Sequence, residues 1–413
     1  MERLRELSMF KKGFKVLLMI VLVAVLLFTG WLLIYGQSHP AAIAGDTLEE
    51  QIRNYTERYV KQSGFSGTVL VAEKDRILFH NSYGLIDAEE GIPNTNDTQY
   101  RIASITKIMT AAAIAKLEEE GKLSLEDSIT RFFPEYAEWK KIKVKHLLAH
   151  SSGLTSYELV ALEELKSSKS KLTNEEITKA LLTQAHPQEQ LEMISKQPLS
   201  FDPGKKSDYK NANYLLLGLI IEQVTGQPYS SYLRDQFFIP AQMANTVFDE
   251  EGAPHLASPH ADGQQITDTT AATLYSFGGA ISTASDVHRF IRALQTGELI
   301  SEQQFEKMGE PLLFNRGYGW MIGNRFDEPS ISHGGDTLGF ASHIIYFPDS
   351  EYCVIVLSNT QLELANAYGG TFQVLRYMAD TVTQETAHNL AADLASLLTG
   401  KRIWVWDRFP GSF

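Results

Sequence analysis

The chain has 413 residues, of which 44% are hydrophobic and 21% charged. This composition is near the average for folded proteins and excludes wholesale disorder, collagen and coiled coils. The net charge of −13 argues against a nucleic-acid-binding protein, which needs a basic surface to neutralise phosphates. Cys353 is the single cysteine, so an internal disulfide framework and a cysteine-cluster zinc site are excluded. We expect neither a metal nor an organic cofactor.

The N-terminal part predicts a membrane anchor. Residues 1–15 carry five basic and two acidic side chains, and residues 16–36 carry no charge. A helix of that length spans about 30 Å, the thickness of a bilayer core, and the basic residues before it predict an N-terminus inside the cell. We therefore expect a cytoplasmic segment, a single-pass anchor in the cell membrane, a linker over 37–46 and an extracellular globular domain. The alternative is a signal peptide cleaved after Ala44, which would give a secreted protein.

The exported part begins with strong local patterns. Helical spacing of apolar residues predicts a helix over Leu48–Gln62. Two β-rich runs, Thr68–Ala72 and Ile77–Tyr83, predict a hairpin. The run Ile105–Leu117 is apolar on nearly every face, which is typical of a helix inside a core. Residues 123–299 are then expected to be mostly helical.

The second half predicts another hairpin, from Ala341–Tyr346 and Tyr352–Ser358, and a helix over Leu364–Met378. One hairpin near each end predicts an α/β (α+β) fold in which an antiparallel sheet is flanked by helices, with an all-helical subdomain inserted. We assign this domain to residues 47–383. Residues 384–413 are expected to form an amphipathic and aromatic extension that packs on the protein's own surface or contacts the membrane interface.

A candidate nucleophile lies where the apolar helix begins. Ser-x-x-Lys places a hydroxyl and an amine one turn apart on a helix, and buried lysine becomes neutral near pH 7, so that it can accept the serine proton. The pattern starts at four serines, and only Ser104-Ile105-Thr106-Lys107 opens an apolar helix. There the helix N-terminus favours developing negative charge at Ser104. The alternative is that Ser104 is only a helix cap.

Two further motifs carry polar groups suited to acyl transfer. Tyr209-Lys210-Asn211 follows a turn and precedes an apolar helix. A tyrosine near a cation can shuttle protons, and the Asn211 amide can hold a substrate carbonyl.

The later motif is His333-Gly334-Gly335-Asp336, just before a predicted strand. Its glycines allow a substrate backbone to approach closely, and the N–H groups of Asp336 and Ser104 could form an oxyanion hole. An ordinary turn is the alternative for each motif alone.

Taken in order, the three motifs resemble those of serine hydrolases grouped with class C β-lactamases and low-molecular-weight penicillin-binding proteins, including D-Ala-D-Ala carboxypeptidases and esterases. The resemblance covers about Leu48–Met378 and includes shorter signatures at 147–154, 278–283 and 318–320. It implies an antiparallel sheet with a helical subdomain, and catalysis through a covalent acyl-enzyme.

The resemblance also implies roles for individual residues. Ser104 would attack a carbonyl, Lys107 and Tyr209 would move the proton, and Asn211 would position the substrate. The substrate would also contact the strand of the third motif, and the oxyanion would be bound by the N–H groups of the nucleophile and of the residue after the glycines. The members of this set are Ser104, Lys107, Tyr209, Asn211, His333, Gly334, Gly335 and Asp336.

Departures from the family pattern bear on the substrate. His333 stands where β-lactamases have lysine, and histidine is only partly charged near neutral pH. Asp336 adds a negative charge, which favours a substrate with a free amine over one with a carboxylate. We therefore expect a D-alanyl esterase acting on teichoic acid D-alanyl esters, or a D-Ala-D-Ala carboxypeptidase acting on peptidoglycan stem peptides. A β-lactamase and a penicillin-binding sensor without turnover are the alternatives.

Overall fold

The computed structural model describes residues 19, 44–168, 186–248, 252–261, 264–265, 274–325, 327–337, 339–361 and 386–400. Apart from residue 19, the predicted anchor lies outside the described residues, as do the predicted helix Leu364–Met378 and residues 401–413. Within the described ranges, no helix is long and apolar enough to cross a membrane.

Strands from both ends of the chain form the central sheet. In chain order the strands are β1 (Gly67–Glu73), β2 (Arg76–Tyr83), β3 (Leu85–Asp87), β4 (Ile92–Pro93), β5 (Tyr100–Arg101), β6 (His260–Ala261), β7 (Gln264–Gln265), β8 (Ile281–Ser282), β9 (Met321–Arg325), β10 (Glu328–Thr337), β11 (Phe340–Tyr346), β12 (Tyr352–Ser358) and β13 (Thr360–Gln361). The main sheet has the order β2-β1-β12-β11-β10-β9 and is antiparallel throughout. Both predicted hairpins, β1–β2 and β11–β12, are confirmed.

Helices surround this sheet. In chain order the α-helices are α1 (Leu48–Ser63), α2 (Thr106–Glu119), α3 (Val144–Leu148), α4 (Tyr157–Ser168), α5 (Pro187–Ser195), α6 (Asn211–Thr225), α7 (Tyr229–Leu233), α8 (Tyr275–Gly278), α9 (Ala284–Gln295), α10 (Glu302–Met308) and α11 (Ala387–Thr399). Short 3-10 turns lie at Ala103–Ile105, Ile129–Arg131 and Ala137–Trp139, and a π-helical turn at Arg234–Phe238. The helices between the two hairpins form the expected helical part.

Both faces of the sheet are buried, which is why its central strands are almost continuously apolar. Along β1, Leu70 faces a large core shared with α2, α6 and α8, whereas Val69 and Val71 face a smaller core. That smaller core also contains residues of α1 and α11. The molecule is thus layered as helices, sheet and helices, with α9 packed against one face of the sheet and α11 against the other.

The C-terminal helix α11 falls within the segment that we assigned to an extension. It begins after Thr386, whose side chain accepts a hydrogen bond from the N–H of Asn389, and it ends at Gly400 in the left-handed conformation. Leu390 and Leu394 are fully buried in the smaller core. Residues 387–399 therefore pack on the protein itself, against β11, β12 and α1.

Candidate active site

Ser104 lies in the 3-10 turn that leads into α2. The preceding residue, Ala103, has a φ of 46°, a left-handed conformation that costs a non-glycine residue about 1 kcal/mol or more. Neither this turn nor α2 has a side-chain cap, so Ser104 is not the helix cap that the sequence left open. Its hydroxyl instead contacts the side chain of Lys107.

Lys107 is fully buried on the first turn of α2. Its Nζ lies 2.9 Å from Ser104 Oγ, 2.9 Å from Asn211 Oδ1 and 2.7 Å from the carbonyl oxygen of Phe277. Burial lowers the pKa of Lys107 to about 7, although the nearby Glu158 carboxylate opposes this effect. Near neutral pH the amine is therefore present in both its charged and its neutral form.

The three partners of Lys107 suit both of those forms. The Asn211 and Phe277 oxygens are acceptors only, so they bind two N–H groups of the amine in either state. A third N–H of the ammonium form points to Ser104 Oγ, and in the neutral form a lone pair replaces it. A proton can thus pass from Ser104 to Lys107 without any rearrangement of the site, which is what a general base requires.

Asn211, the first residue of α6, connects Lys107 to a buried carboxylate. Its Nδ2 donates to Glu158 Oε1 over 2.6 Å, while its Oδ1 accepts from Lys107. Because the ammonium form of Lys107 only donates and the Glu158 carboxylate only accepts, this orientation of the amide is determined by its partners. Both ends of the Asn211 amide are thus engaged within the protein, and a substrate carbonyl would have to share one of them.

The signature at 147–154 supports the loop that carries Tyr209. The His150 ring stacks on Tyr209 with 4.2 Å between centroids, and His150 Nδ1 lies 3.2 Å from the backbone oxygen of Lys210. That oxygen also accepts a hydrogen bond from Asn213 Nδ2 at 3.0 Å. The Tyr209 ring lies 5.0 Å from Lys107 Nζ. Tyr209, predicted from its motif, is therefore held beside the candidate base.

Strand β10 brings the third motif to the same place. A Cβ atom on Gly335 would lie 2.8 Å from the backbone nitrogen of Ser104 and 2.5 Å from the oxygen of Ile102. Only glycine allows this approach, because both contacts are with backbone. The pair of N–H groups that we predict as an oxyanion hole comes from Ser104 itself and from Asp336, the residue after Gly335.

His333 is buried and neutral, which corrects the expectation of a partial charge. Only 4% of the residue is exposed, and its Nδ1 lies 2.6 Å from the oxygen of Gly334. Burial, helped by the charge of Lys107, lowers the pKa of His333 to about 3. At neutral pH this position supplies no positive charge.

The carboxylate of Asp336 does not face Ser104, and this corrects the electrostatic reasoning from the sequence. Side chains alternate along a strand, so Gly335 faces Ser104 while Gly334 and Asp336 face α11. Asp336 Oδ2 lies 3.0 Å from His388 Nε2, and a Cβ on Gly334 would lie 3.0 Å from the His388 ring. Asp336 therefore pairs with His388 behind the sheet and gives no reason to prefer an amine-bearing substrate.

Two residues of the site were missed in the sequence. Glu158 stands among several glutamates of α4, with no spacing that distinguishes it. Arg316 precedes the signature at 318–320, and its guanidinium carbon lies 5.8 Å from the centre of the Tyr209 ring. The proximity to that signature was the one available signal for Arg316.

Comparison with known proteins agrees with this geometry. The family model described as Beta-lactamase matches residues 52–376. Penicillin-binding protein 4* of Bacillus subtilis (strain 168) is 29% identical over 324 residues, which cover 72% of this chain and 68% of that protein. Protein flp of Staphylococcus aureus (strain MW2) is 28% identical over 337 residues, which cover 76% of this chain and 64% of that protein.

Solved structures lead to the same family. The crystal structure of a penicillin-binding protein from Bacillus halodurans has a TM-score of 0.65 and 26% identity, and the match covers 78% of this chain and 98% of that one. Because the family model spans most of the chain and includes the buried Ser104–Lys107 pair, this chain belongs to the beta-lactamase family and is a serine hydrolase that works by acyl transfer.

Proposed function

We propose that this protein releases D-alanine from cell-envelope polymers through an acyl-enzyme on Ser104. The substrates are D-alanyl esters of teichoic acid or the D-Ala-D-Ala ends of peptidoglycan stem peptides. The observation that carries the proposal is the hydrogen-bond set of Lys107, which joins Ser104 Oγ to two fixed acceptors and so provides a base for acyl transfer. The relatives named as penicillin-binding proteins support the choice of envelope substrates.

The proposed reaction has two halves. Ser104 Oγ forms a bond to the substrate carbonyl carbon while its proton moves to Lys107 Nζ. The C–O or C–N bond to the leaving group then breaks, and the proton passes to the leaving oxygen or nitrogen with Tyr209 as the shuttle. Water attacks the resulting ester, gives its proton back by the same route and restores the Ser104 hydroxyl. The N–H groups of Ser104 and Asp336 stabilise the oxyanion in both halves.

We also propose that the enzyme acts outside the cytoplasm, held by residues 16–36 as a membrane anchor. The support is the uncharged span preceded by basic residues. Such an anchor would keep the active site close to polymers attached to the membrane or wall.

The test is the release of free D-alanine from D-alanylated lipoteichoic acid and from a pentapeptide stem, by the full chain in detergent. We expect release from at least one substrate by the wild type, and a loss of at least about a thousandfold in Ser104→Ala. Release of D-alanine by Ser104→Ala at the wild-type rate would refute the assignment of Ser104 as the nucleophile. Acylation by a penicillin without release from either polymer would instead support the sensor alternative.

A further inference from the structure

Arg316 is a cation inside the active site to which the reaction described above gives no task. Its loop is anchored at both ends. The N–H of Arg316 donates to the Leu313 oxygen over 3.1 Å, and a Cβ atom on Gly319 would lie 2.8 Å from the oxygen of Lys107. The guanidinium carbon lies over the ring of Tyr209, 5.8 Å from its centre, and the Nε atom is buried. Arg316 is therefore positioned by the fold rather than extended into solvent.

Apart from the contact with the Tyr209 ring, the charge of Arg316 has no partner in the part of the chain that the structure describes. Its guanidinium makes neither a hydrogen bond nor an ion pair with a described residue, and its Nε is buried without a partner. Burial lowers the pKa of Arg316, an effect that Tyr209 and Tyr214 oppose, yet an arginine stays charged at neutral pH. Because partly buried charges are normally paired, a ligand is the natural partner for this one.

Of the three basic side chains His333, Lys107 and Arg316, only Arg316 is suited to bind a substrate anion. His333 is neutral at pH 7, and Lys107 must be neutral when it accepts the Ser104 proton. A substrate anion bound without its own cation would raise the pKa of Lys107 and so lower the fraction of the neutral amine that can accept the Ser104 proton. The planar guanidinium matches carboxylates and phosphates, which accept two parallel N–H groups.

We propose that Arg316 binds an anionic group on the leaving-group side of the substrate, a carboxylate or a phosphodiester. The leaving-group side follows from the contact with Tyr209, since that residue hands the proton to the departing oxygen or nitrogen in the proposed function, on which this inference rests. The anion takes no part in the bond changes. It stays on Arg316 while the carbonyl carbon is transferred to Ser104, and it departs with the leaving group.

This assignment reverses the preference expected from the sequence. The third motif lacks the lysine that would provide a cation, and we had expected Asp336 to repel carboxylates. With Asp336 paired to His388 behind the sheet, the cation comes from a different loop. Both candidate polymers satisfy the requirement, because D-Ala-D-Ala ends in a carboxylate and the glycerol of teichoic acid is flanked by phosphodiesters.

The experiment compares matched substrates with the full chain in detergent. One pair is an N-acyl-D-alanyl-D-alanine and its C-terminal amide, and the other is the D-alanyl ester of glycerol phosphate and that of glycerol. The variants are Arg316→Gln, Arg316→Lys and the control Arg234→Gln. Arg234 is exposed and paired with Asp235, so its replacement changes the net charge equally without touching the site.

We expect Arg316→Gln to lower kcat/KM by at least about 30-fold for the anionic member of one pair, with a change of less than about threefold for the neutral member. For the anionic member, kcat/KM of Arg316→Lys should lie between the values of the wild type and of Arg316→Gln, because lysine keeps the charge and lacks the planar guanidinium. The pair that responds identifies the anion as carboxylate or phosphodiester. An equal loss on both members would show that Arg316 acts only on Tyr209 or on the fold, and would overturn the proposal, as would no change in Arg316→Gln.

Failure of the proposed function gives a different result. If the wild type cleaves none of the four substrates, the proposed function fails, and the anion site is then measured by the rate at which benzylpenicillin and its methyl ester acylate Ser104. Intact mass spectrometry follows that rate. A 30-fold selective loss for the acid in Arg316→Gln would sustain the anion site, and an equal effect on acid and ester would overturn it.

Discussion

Replacing Glu158 by glutamine tests whether Lys107 is the base of this site. Burial lowers the pKa of Lys107 to about 7, and the Glu158 charge opposes that shift. One Asn211 amide separates the two groups, a distance of roughly 7 Å, at which unit charges interact by about 2 kcal/mol for an effective dielectric constant of about 20. Burial raises the pKa of Glu158 itself. Since about 1.4 kcal/mol corresponds to one pKa unit, we expect the loss of the Glu158 charge to lower the Lys107 pKa by at least about one unit.

The assay is the pH dependence of kcat/KM, which reports groups of the free enzyme. The base must be neutral, so wild-type activity should rise with pH through about 7 and fall about tenfold per unit below it. In Glu158→Gln this acid limb should move to about pH 6, while the amide oxygen of the new side chain can still accept from Asn211. Glu163→Gln, an exposed site on the same helix, should leave the limb in place. A limb that stays at pH 7 in Glu158→Gln, or moves upward, would refute the reasoning.

Two further predictions concern β10. Gly335→Ala should lower kcat/KM by about 100-fold, because its Cβ would lie 2.8 Å from the Ser104 nitrogen. The control Gly91→Ala, whose Cβ would meet nothing within 4 Å, should leave kcat/KM unchanged. Equal activity of the two variants would contradict the close approach of Gly335 to Ser104. Asp336→Asn should lower the free energy of unfolding at pH 6 by about 2 kcal/mol, and by less at pH 9. Burial opposes the charging of His388, but the interaction with Asp336 outweighs burial and raises the His388 pKa. The stabilisation of the folded state by this ion pair is therefore complete below the ordinary pKa of histidine, and it is lost as pH rises through the raised value. Urea unfolding at both pH values measures the difference, and a loss independent of pH would exclude a charged His388.

The elements with strong local patterns could be predicted from the sequence. The hairpins of β1–β2 and β11–β12 were expected within one residue or so of their bounds, and α2 was recognised because nearly every face is apolar. Ser104 and Lys107 followed from that helix, since one helical turn determines their spacing. In each case the information lies within a few residues along the chain.

The errors concern properties that depend on distant parts of the chain. Which face of β10 carries Asp336 depends on the register with its neighbours and on α11, whose His388 pairs with the carboxylate. The loss of charge on His333 depends on its burial. Glu158 reaches the site from a helix whose local sequence has no distinguishing pattern, and for Arg316 the one signal was its proximity to the signature at 318–320. Whether such residues belong to the site depends on tertiary packing, which local sequence patterns do not show.

The central claim is that Ser104 forms a covalent acyl-enzyme with the aid of Lys107. The most direct measurement is intact mass spectrometry after rapid mixing with a D-alanyl substrate or a penicillin, followed by peptide mapping. We predict an added acyl mass on the peptide that contains Ser104, formed faster as pH rises through about 7 and absent in Ser104→Ala. Turnover that persists in Ser104→Ala, or an adduct on any other residue, would contradict the account.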